Sequence, residues 1–427
     1  MKLQIAKGMR DFGPEEKILR DNVVKSLVET FELYGYSPLE TPIVERYDIL
    51  NAKFAAGQES DVAKEIFKLT DQGKRKLGLR FDLTVPFARF IGMNPNLKMP
   101  FKRYQIGEVF RDGPIKLGRY REFWQCDVDV AGVGNVRADS ELICLAIDAF
   151  SKIGLDTYVE INNRKLLKGI IEDVGIKQSI ADSVVISVDK LSKIGKAGVE
   201  LELKQKKISA AQIKKLMTFF VLKGSNKDKI KFLKENIKSE IGVEGLEEIE
   251  KMISYIPAVK RRKVIFNISL ARGLGYYTGP IFECFLKKSK IKSSICAGGR
   301  YDEMMESYVG RKVPMTGISF GLDVIGEALK LQGAETVKTT VKLYVIPIAG
   351  IDCFSIVDNL RNGGVKVDFD LIGRGISKNL DYADKLGIPF VLFVGPKELK
   401  LNKFKLKDMK SGKEEILSLE KIRKKLV

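Results

Sequence analysis

Two hydrophobic periods alternate along this 427-residue chain. Apolar residues spaced three to four apart predict one helix that starts at Pro14 and runs to about Leu33, and another over 138–153. Alternating apolar and polar residues over 101–132 predict a strand, a loop and a returning strand, with the break at Gly113-Pro114. The chain therefore mixes helices with strands that return on themselves.

The same periods divide the chain into regions. Residues 171–255 are rich in Lys and Glu and helical in period, which indicates an inserted helical domain. Residues 341–427 alternate strands and helices, which predicts a small, largely parallel sheet with helical cover. We predict a discontinuous first domain (1–170 and 256–332), the insertion, and an α/β domain over 338–427.

The charge balance favours a polyanionic partner. The chain has 74 lysine and arginine residues against 55 aspartate and glutamate residues, a net charge of +19. The excess is spread out: residues 176–263 hold 20 basic and 11 acidic residues, and residues 341–427 hold 17 and 11. A nucleic-acid backbone would match this balance, and a lysine-rich composition without such a partner explains it equally well.

The chain contains no histidine, which excludes His-based acid–base catalysis, nucleophile triads that need histidine, and His-ligated metals. Its five cysteines are scattered without a CxxC pair, so we predict no metal site and no disulfide framework. No apolar stretch reaches membrane-spanning length. We expect a cytoplasmic protein with no membrane partner.

Candidate chemistry concentrates in the 101–132 hairpin. Arg111 closes its first strand, Arg119 and Arg121 open the second, and Asp127 and Asp129 follow at alternate positions on one face. Converging arginines with carboxylates downstream suit a ligand that has a polyphosphate end and a cationic end. The alternative is a charged hairpin that faces water.

Three further windows carry polar residues in an ordered series. Residues 78–90 hold Asp82 and Thr84 at alternate positions of a predicted strand, residues 270–279 hold Arg272, Tyr276 and Tyr277, and residues 297–304 hold Arg300 and Tyr301. Each window alone is weak evidence, and Tyr276 is more readily explained as a core aromatic residue. Their joint occurrence, in this order and on both sides of an insertion, is specific.

Together with the hairpin, these windows resemble the histidyl-tRNA synthetases, which are class II aminoacyl-tRNA synthetases. The segment TPIVE with Pro42, which we expect to lie in a strand, resembles the dimer-interface motif, and the hairpin resembles motif 2. LARGLGYYTG and AGGRYD resemble the two histidine-specific signatures, and ISKNLDYADKLGIPFVLFVG resembles the anticodon-binding domain. The implied fold is α+β: a mostly antiparallel sheet with flanking helices, a helical insertion, and a C-terminal α/β anticodon-binding domain.

The resemblance also implies an activity, ligands and residue roles. The enzyme would activate histidine with ATP and Mg²⁺ and transfer it to tRNA(His), as a homodimer. Positioned cations suffice for that step, so a chain without histidine can perform it. Arg111 and Arg272 would grip the α-phosphate and the substrate carboxylate. The implied amino-acid ligands are Asp82, Thr84 and Gln125 for the amine, Asp129 and Tyr277 for the imidazole, and Tyr301 in the wall; the implied ATP ligands are Arg111, Arg119, Arg121, Arg272 and Arg300.

Three positions depart from the family pattern. Val324 stands where motif 3 supplies an arginine, Gly275 replaces an aspartate, and Gly113 stands where motif 2 has an acidic residue. Loss of the motif 3 arginine should weaken ATP binding unless Lys116, Arg119 or Arg300 compensates. A catalytically impaired paralogue that senses tRNA or histidine is therefore an alternative. A regulatory subunit of histidine biosynthesis is a weaker alternative, because such relatives typically lack the C-terminal domain.

Overall fold

A computed structural model describes residues 2–52, 64–115, 120–271, 277–334 and 336–427. The chain divides into two compact units. The first comprises Met1–Arg10 with Val23–Gln332, and the second comprises Asp11–Asn22 with Gly333–Val427. No described helix combines the length and the apolar character needed to cross a membrane.

The first unit is built on a sheet whose strands lie far apart in the chain. The described strands are β1 (Ser37–Pro38), β2 (Val44–Arg46), β3 (Lys68–Thr70), β4 (Lys76–Leu79), β5 (Phe101–Phe110), β6 (Glu122–Ala131), β7 (Thr157–Asn163), β8 (Val264–Phe266), β9 (Pro280–Leu286), β10 (Cys296–Arg300) and β11 (Met315–Gly321). The main sheet has the order β1-β5-β6-β11-β10-β9-β7-β8, and β2, β4 and β3 form a small separate sheet. In the main sheet β1 lies parallel to β5 and β7 parallel to β8, and the other pairs are antiparallel. The predicted mostly antiparallel sheet is confirmed.

Helices cover one face of this sheet and form the insertion. The described helices are α1 (Pro14–Leu33), α2 (Tyr47–Ala52), α3 (Thr84–Met93), α4 (Arg137–Ile153), α5 (Arg164–Asp173), α6 (Ala181–Asp189), α7 (Leu191–Gln205), α8 (Ala210–Phe220), α9 (Asn226–Asn236), α10 (Glu240–Tyr255), α11 (Ala258–Arg261), α12 (Glu306–Val309) and α13 (Leu322–Leu331), with a 3₁₀ turn at Gln178–Ile180. Helices α5 to α11 come between β7 and β8, as the helical period of 171–255 predicts. The three-part domain boundaries remain a prediction.

The main core lies between the sheet and α1 and α4. Phe31 of α1 and Phe150 of α4 both contact the Phe320 ring of β11, at 5.4 Å between ring centroids. Cys126 and Val128 of β6 belong to the same buried cluster. Because side chains alternate across a strand, Gln125, Asp127 and Asp129 of β6 lie on the opposite face.

The second unit contains a five-stranded sheet. Its strands are β12 (Leu343–Pro347), β13 (Val367–Phe369), β14 (Phe390–Val394), β15 (Phe404–Asp408) and β16 (Glu414–Leu417), and its helices are α14 (Phe354–Asn362), α15 (Ile376–Lys385), α16 (Pro396–Leu401) and α17 (Leu419–Leu426). The order is β13-β12-β14-β15-β16. The first three strands are parallel and the last two join antiparallel, so the expected largely parallel sheet is only half parallel.

Two local expectations are wrong. Pro42 does not lie in a strand: β2 begins two residues later, at Val44, since proline has no N–H for a strand ladder. Asp82 and Thr84 do not occupy a strand either. The Asp82 carboxylate accepts a hydrogen bond from the Val85 backbone N–H at 2.9 Å, and Thr84 is the first residue of α3. The polar residues that suggested alternation serve as a helix start.

Candidate active site

One face of the main sheet collects polar side chains in register across three strands. Arg103 of β5 lies opposite Asp129 of β6, and Asp129 lies opposite Gly317 of β11. One pleat further along, Asp127 of β6 lies opposite Ser319 of β11. The antiparallel register thus places charged groups from distant parts of the chain side by side.

A buried arginine lies at the centre of this face. Arg103 is 0% exposed, and its Nη2 lies 2.7 Å from Asp129 Oδ2 and donates to the Leu83 carbonyl at 3.0 Å. Its guanidinium carbon lies 4.6 Å from the centroid of the Phe87 ring. Its Nε and Nη1 have no hydrogen-bond partner among the described residues.

Two buried carboxylates lie next to each other beside Arg103. Burial raises the pKa of Asp127 to about 7; the neighbouring Asp129 adds to the rise, while Arg103 and the Ser319 hydroxyl oppose it. Burial also raises the pKa of Asp129, against the opposing effects of Arg103 and Tyr301. Asp82 contributes a further upward effect on both pKa values. This cluster of acids would be stabilised by a cationic ligand.

Tyrosine and glycine residues shape the space around Asp129. The Tyr301 hydroxyl donates to Asp129 Oδ1, and both residues are buried. A Cβ atom at Gly317 would lie 1.8 Å from Asp129 Oδ1, so only glycine leaves room for this carboxylate. Buried Tyr277 packs against Gly299, where a Cβ would lie 2.9 Å from the Tyr277 ring.

The residues predicted to hold the amine come from two elements. Gln125 of β6 donates from Nε2 to the Ser319 hydroxyl at 3.1 Å, and its buried Oε1 has no hydrogen-bond partner among the described residues. Asp82 and Thr84 lie at the start of α3, and the next residue along from Asp82, Leu83, receives the Arg103 contact. Of the predicted amine ligands, Asp82 and Gln125 therefore lie beside Asp127 and Asp129.

The arginines predicted to bind phosphate lie at the loop end of the hairpin. Arg111 directly follows β5, donates from Nε to the Phe81 carbonyl at 3.1 Å, and lies over the Phe123 ring. Arg121 directly precedes β6, and its Nη1 lies 3.1 Å from Asp112 Oδ1. Of the other predicted residues in this group, Arg119 and Arg272 lie outside the described residues, as do Lys116, Gly275 and Tyr276.

Arg300 does not join the site. Its guanidinium is bound to the Asp139 carboxylate and donates to the carbonyls of Val133 and Asn135, each at 2.8 Å. Arg300 is 3% exposed and pairs in register with Thr316, whose hydroxyl also donates to Asp139. We therefore replace its expected role in ATP binding by a structural one.

At two of the three positions that depart from the family pattern, a charged side chain from elsewhere in the chain lies nearby. Near Val324, Asp323 Oδ1 accepts from Arg10 Nη2 at 3.3 Å, and the Arg10 guanidinium lies over the Tyr120 ring. At Gly113, a Cβ atom would lie 2.5 Å from the carboxylate of Glu65, whose carbonyl accepts from the Asp112 N–H. A cation and a carboxylate thus approach these two positions from elsewhere in the chain.

Sequence reasoning missed Arg103 and Ser319 and gave Asp127 no role of its own. A signal for Arg103 was present, because the hairpin places residue 103 opposite 129 once the two strands are paired evenly around their loop. No local signal marks Ser319, which depends on β11 pairing with β6 across almost two hundred residues.

The fold and the site together define a class of protein. A mostly antiparallel sheet whose polar face has carboxylates at one end and arginines at the other, in a chain that continues into an α/β unit, is that of a class II aminoacyl-tRNA synthetase. A family model described as "Histidyl-tRNA synthetase" matches residues 8–325, and one described as "Anticodon binding domain" matches residues 342–427. The chain belongs to the histidyl-tRNA synthetase family.

Relatives and solved structures agree along the whole chain. It is 42% identical over 419 residues to "Histidine--tRNA ligase 1" of Bacillus cereus, covering 97% of each chain, and 35% identical to "Histidine--tRNA ligase" of Clostridium tetani, covering 98% of this chain and 97% of that one. A crystal structure of histidyl-tRNA synthetase from a Nostoc species superimposes with a TM-score of 0.89 at 31% identity, covering all of both chains. An "ATP phosphoribosyltransferase regulatory subunit/histidyl-tRNA synthetase" from Bacillus halodurans gives a TM-score of 0.77 at 25% identity, covering 92% of this chain and 99% of that one.

Proposed function

We propose that this chain is a histidine–tRNA ligase, which activates histidine with ATP and transfers the histidyl group to the 3′ end of tRNA(His). The observation that carries this proposal is the buried cluster of Asp82, Asp127 and Asp129 around Arg103. Among the described residues, these three carboxylates outnumber the arginines that interact with them, Arg103 and Arg80, which favours a ligand that brings positive charge. Hydroxyl and amide groups at their border favour a ligand with polar N–H groups.

Histidine meets both requirements. Its α-ammonium would lie among Asp82, Thr84 and Gln125, whose buried Oε1 is an acceptor without a partner among the described residues. Its imidazole would donate an N–H to Asp129, with Tyr277 and Tyr301 forming the walls. An amino acid without a ring N–H could not make this hydrogen bond to Asp129, and the loss of one hydrogen bond is costly in a buried site.

ATP would occupy the arginine end of the same face. Attack of the histidine carboxylate oxygen on the α-phosphorus forms a C(O)–O–P bond and breaks the bond to pyrophosphate, which leaves with the electron pair. Arg111, and Arg272 if it lies as its motif implies, would stabilise the negative charge that gathers on the phosphoryl oxygens. Arg121 and Arg119 would hold the remainder of the polyphosphate.

Mg²⁺ enters this proposal with the nucleotide. Within the described residues no group of three His, Cys, Asp or Glu side chains could hold a metal ion. Mg²⁺ commonly binds through phosphate oxygens and water with few protein ligands, and MgATP is accordingly the substrate that we propose.

Arg10 would supply a cation on the ATP side, in place of the motif 3 arginine that this chain replaces by Val324. The Arg10 guanidinium is held beside Asp323 and over the ring of Tyr120, which directly precedes Arg121. Its side chain is 30% exposed, so an anion can reach it. Arg300 cannot take this part because Asp139 and two carbonyls already bind its guanidinium.

The remaining partners follow from the activity. The basic C-terminal unit would bind the anticodon region of tRNA(His), the hairpin loop would meet the acceptor end, and the helical insertion would clamp the acceptor arm. We propose a homodimer, with the segment around Pro42 at the interface, and a cytoplasmic location, where tRNA is charged. Sedimentation equilibrium tests the dimer directly, and a monomer at micromolar concentration would contradict it.

A tRNA-charging assay tests the proposal as a whole. The purified chain should attach labelled histidine to tRNA(His) in the presence of MgATP. The alternative is a paralogue that senses histidine or tRNA, which the valine at position 324 favours. Binding of histidine or tRNA(His) without any adenylate or charged tRNA would establish that alternative and overturn the ligase.

A further inference from the structure

Arg103 has features that a core residue does not need. It is a charged side chain with 0% exposure, and two of its nitrogens have no hydrogen-bond partner among the described residues. Burial of a guanidinium is expensive, and incomplete pairing makes it more so. Retaining such a group in the centre of a sheet face requires a compensating role.

The neighbours of Arg103 indicate that role. Its charged partner is Asp129, at 2.7 Å. Arg103 also opposes the rise that burial causes in the pKa values of Asp129 and Asp127. Among the described residues, the groups that act on Asp129 are Arg103 from β5, Asp127 from β6, Asp82 from the start of α3, and the hydroxyls of Tyr301 and Tyr36. Among these, Arg103 supplies the positive charge and the other charged groups are acids.

The orientation of Arg103 is fixed from three sides. Phe87 of α3 stacks on its guanidinium, the Leu83 carbonyl accepts from Nη2, and Asp129 receives the same end of the side chain. Tyr301 holds the other oxygen of Asp129. One oxygen of Asp129 thus lies against the Arg103 guanidinium and the other accepts from the Tyr301 hydroxyl.

We propose that Arg103 is a positioning residue for histidine recognition: it keeps Asp129 as a carboxylate, in a fixed orientation, so that Asp129 accepts the imidazole N–H of the substrate. This inference rests on the proposed function and adds to it a residue that acts on the substrate through Asp129. Arg103 also offsets the charge of the second buried acid, Asp127, so that the two carboxylates can ionise side by side.

The test is histidine-dependent ATP–pyrophosphate exchange by Arg103→Met. The histidine KM should rise about 10- to 100-fold, the scale of one lost charge-assisted hydrogen bond, while the ATP KM changes by less than about threefold. The rise should be larger at acidic than at alkaline pH, because removal of the arginine that opposes the effect of burial raises the pKa of Asp129 further. Arg103→Lys keeps the charge and should recover most of the loss.

Arg300→Met is the matched control, because Arg300 is also a buried arginine paired with an aspartate but faces away from the cluster. It should lower the unfolding free energy without changing how the histidine KM depends on pH. If Arg103→Met behaves in the same way, the inference is overturned. If wild-type protein shows no histidine-dependent exchange, the proposed function fails, and the inference fails with it.

A double variant keeps the test decisive if Arg103→Met folds poorly. Asp127→Asn removes one acid from the cluster, so Arg103→Met should raise the histidine KM several-fold less in that background than in wild type. Thermal unfolding should show the same coupling, with the double variant more stable than Arg103→Met alone. Equal effects of Arg103→Met in both backgrounds would contradict the inference.

Discussion

The position of the Asp129 carboxylate is determined by the residues that surround it. Gly317 on the adjacent strand leaves space for this carboxylate. Arg103 lies against one of its oxygens, and Tyr301 donates to the other. The environment of Asp129 is therefore set by residues of β5 and β11 and by the residue that follows β10, and not by one motif.

Gly317→Ala tests this arrangement. Because the added Cβ would lie 1.8 Å from Asp129 Oδ1, the pinned carboxylate must move, and we expect the histidine KM to rise at least about tenfold with a loss of about 1–3 kcal/mol in unfolding free energy. Exchange kinetics and urea unfolding measure the two effects. Gly326→Ala is the control, since nothing lies within 4 Å of its Cβ position, and it should retain the wild-type KM. A wild-type KM in Gly317→Ala would contradict this role of the glycine.

Asp127 should reduce stability at neutral pH in the absence of ligand. Its pKa is raised to about 7 in the folded state, so the folded protein binds a proton there more tightly than the unfolded chain does. The free energy of unfolding contributed by Asp127 is therefore fully present at low pH and is lost as pH rises towards and through 7. Asp127→Asn does not titrate and keeps this free energy. The unfolding free energy of Asp127→Asn should therefore exceed that of wild type by an amount that grows from pH 5 to pH 8 and reaches about 1–3 kcal/mol.

Urea unfolding at a series of pH values measures that advantage. Asp156→Asn, at an aspartate whose side chain is 65% exposed, should change the unfolding free energy by less than about 0.5 kcal/mol at each pH. An advantage for Asp127→Asn that is constant across the pH range would show that Asp127 is not the titrating group.

At the scale of elements, the sequence predicted most of what local patterns can determine. The hairpin of β5 and β6, helices α1 and α4, the helical insertion and the alternation in the C-terminal unit follow from hydrophobic period and turn residues. The prediction of a strand at Asp82 and Thr84 was wrong, because polar residues that begin a helix and polar residues in a strand give the same short sequence pattern. The place of Arg103 opposite Asp129 follows from the register of the hairpin, whereas that of Ser319 depends on the pairing of β11 with β6, which no local pattern shows.

The segment before α1 should act together with the hairpin in ATP binding. Arg10→Gln removes the cation beside Asp323 and Tyr120, and we expect the ATP KM in pyrophosphate exchange to rise about tenfold, with the histidine KM little changed. Adding Val324→Arg to that variant should lower the ATP KM again, because it restores a cation at the start of α13. Arg46→Gln, at an arginine with 74% side-chain exposure, is the control. An unchanged ATP KM in Arg10→Gln would exclude this role.

At the scale of the whole molecule, the net charge of +19 should appear in tRNA binding. Lysines and arginines that neutralise phosphates release counterions, so the affinity for tRNA(His) should fall at least about tenfold between about 50 mM and about 200 mM salt. Filter binding across that range measures the slope. The histidine KM is the internal control and should change little, because its ligands are buried and poorly screened. Salt-independent tRNA affinity would contradict a backbone-dominated interface.

The central claim is that the acidic cluster around Arg103 selects histidine for activation. ATP–pyrophosphate exchange with each of the twenty amino acids in turn tests it most directly, since adenylate formation needs neither tRNA nor a second active site. We predict exchange with histidine and none above background with the others. Exchange with a different amino acid but not with histidine would contradict the account.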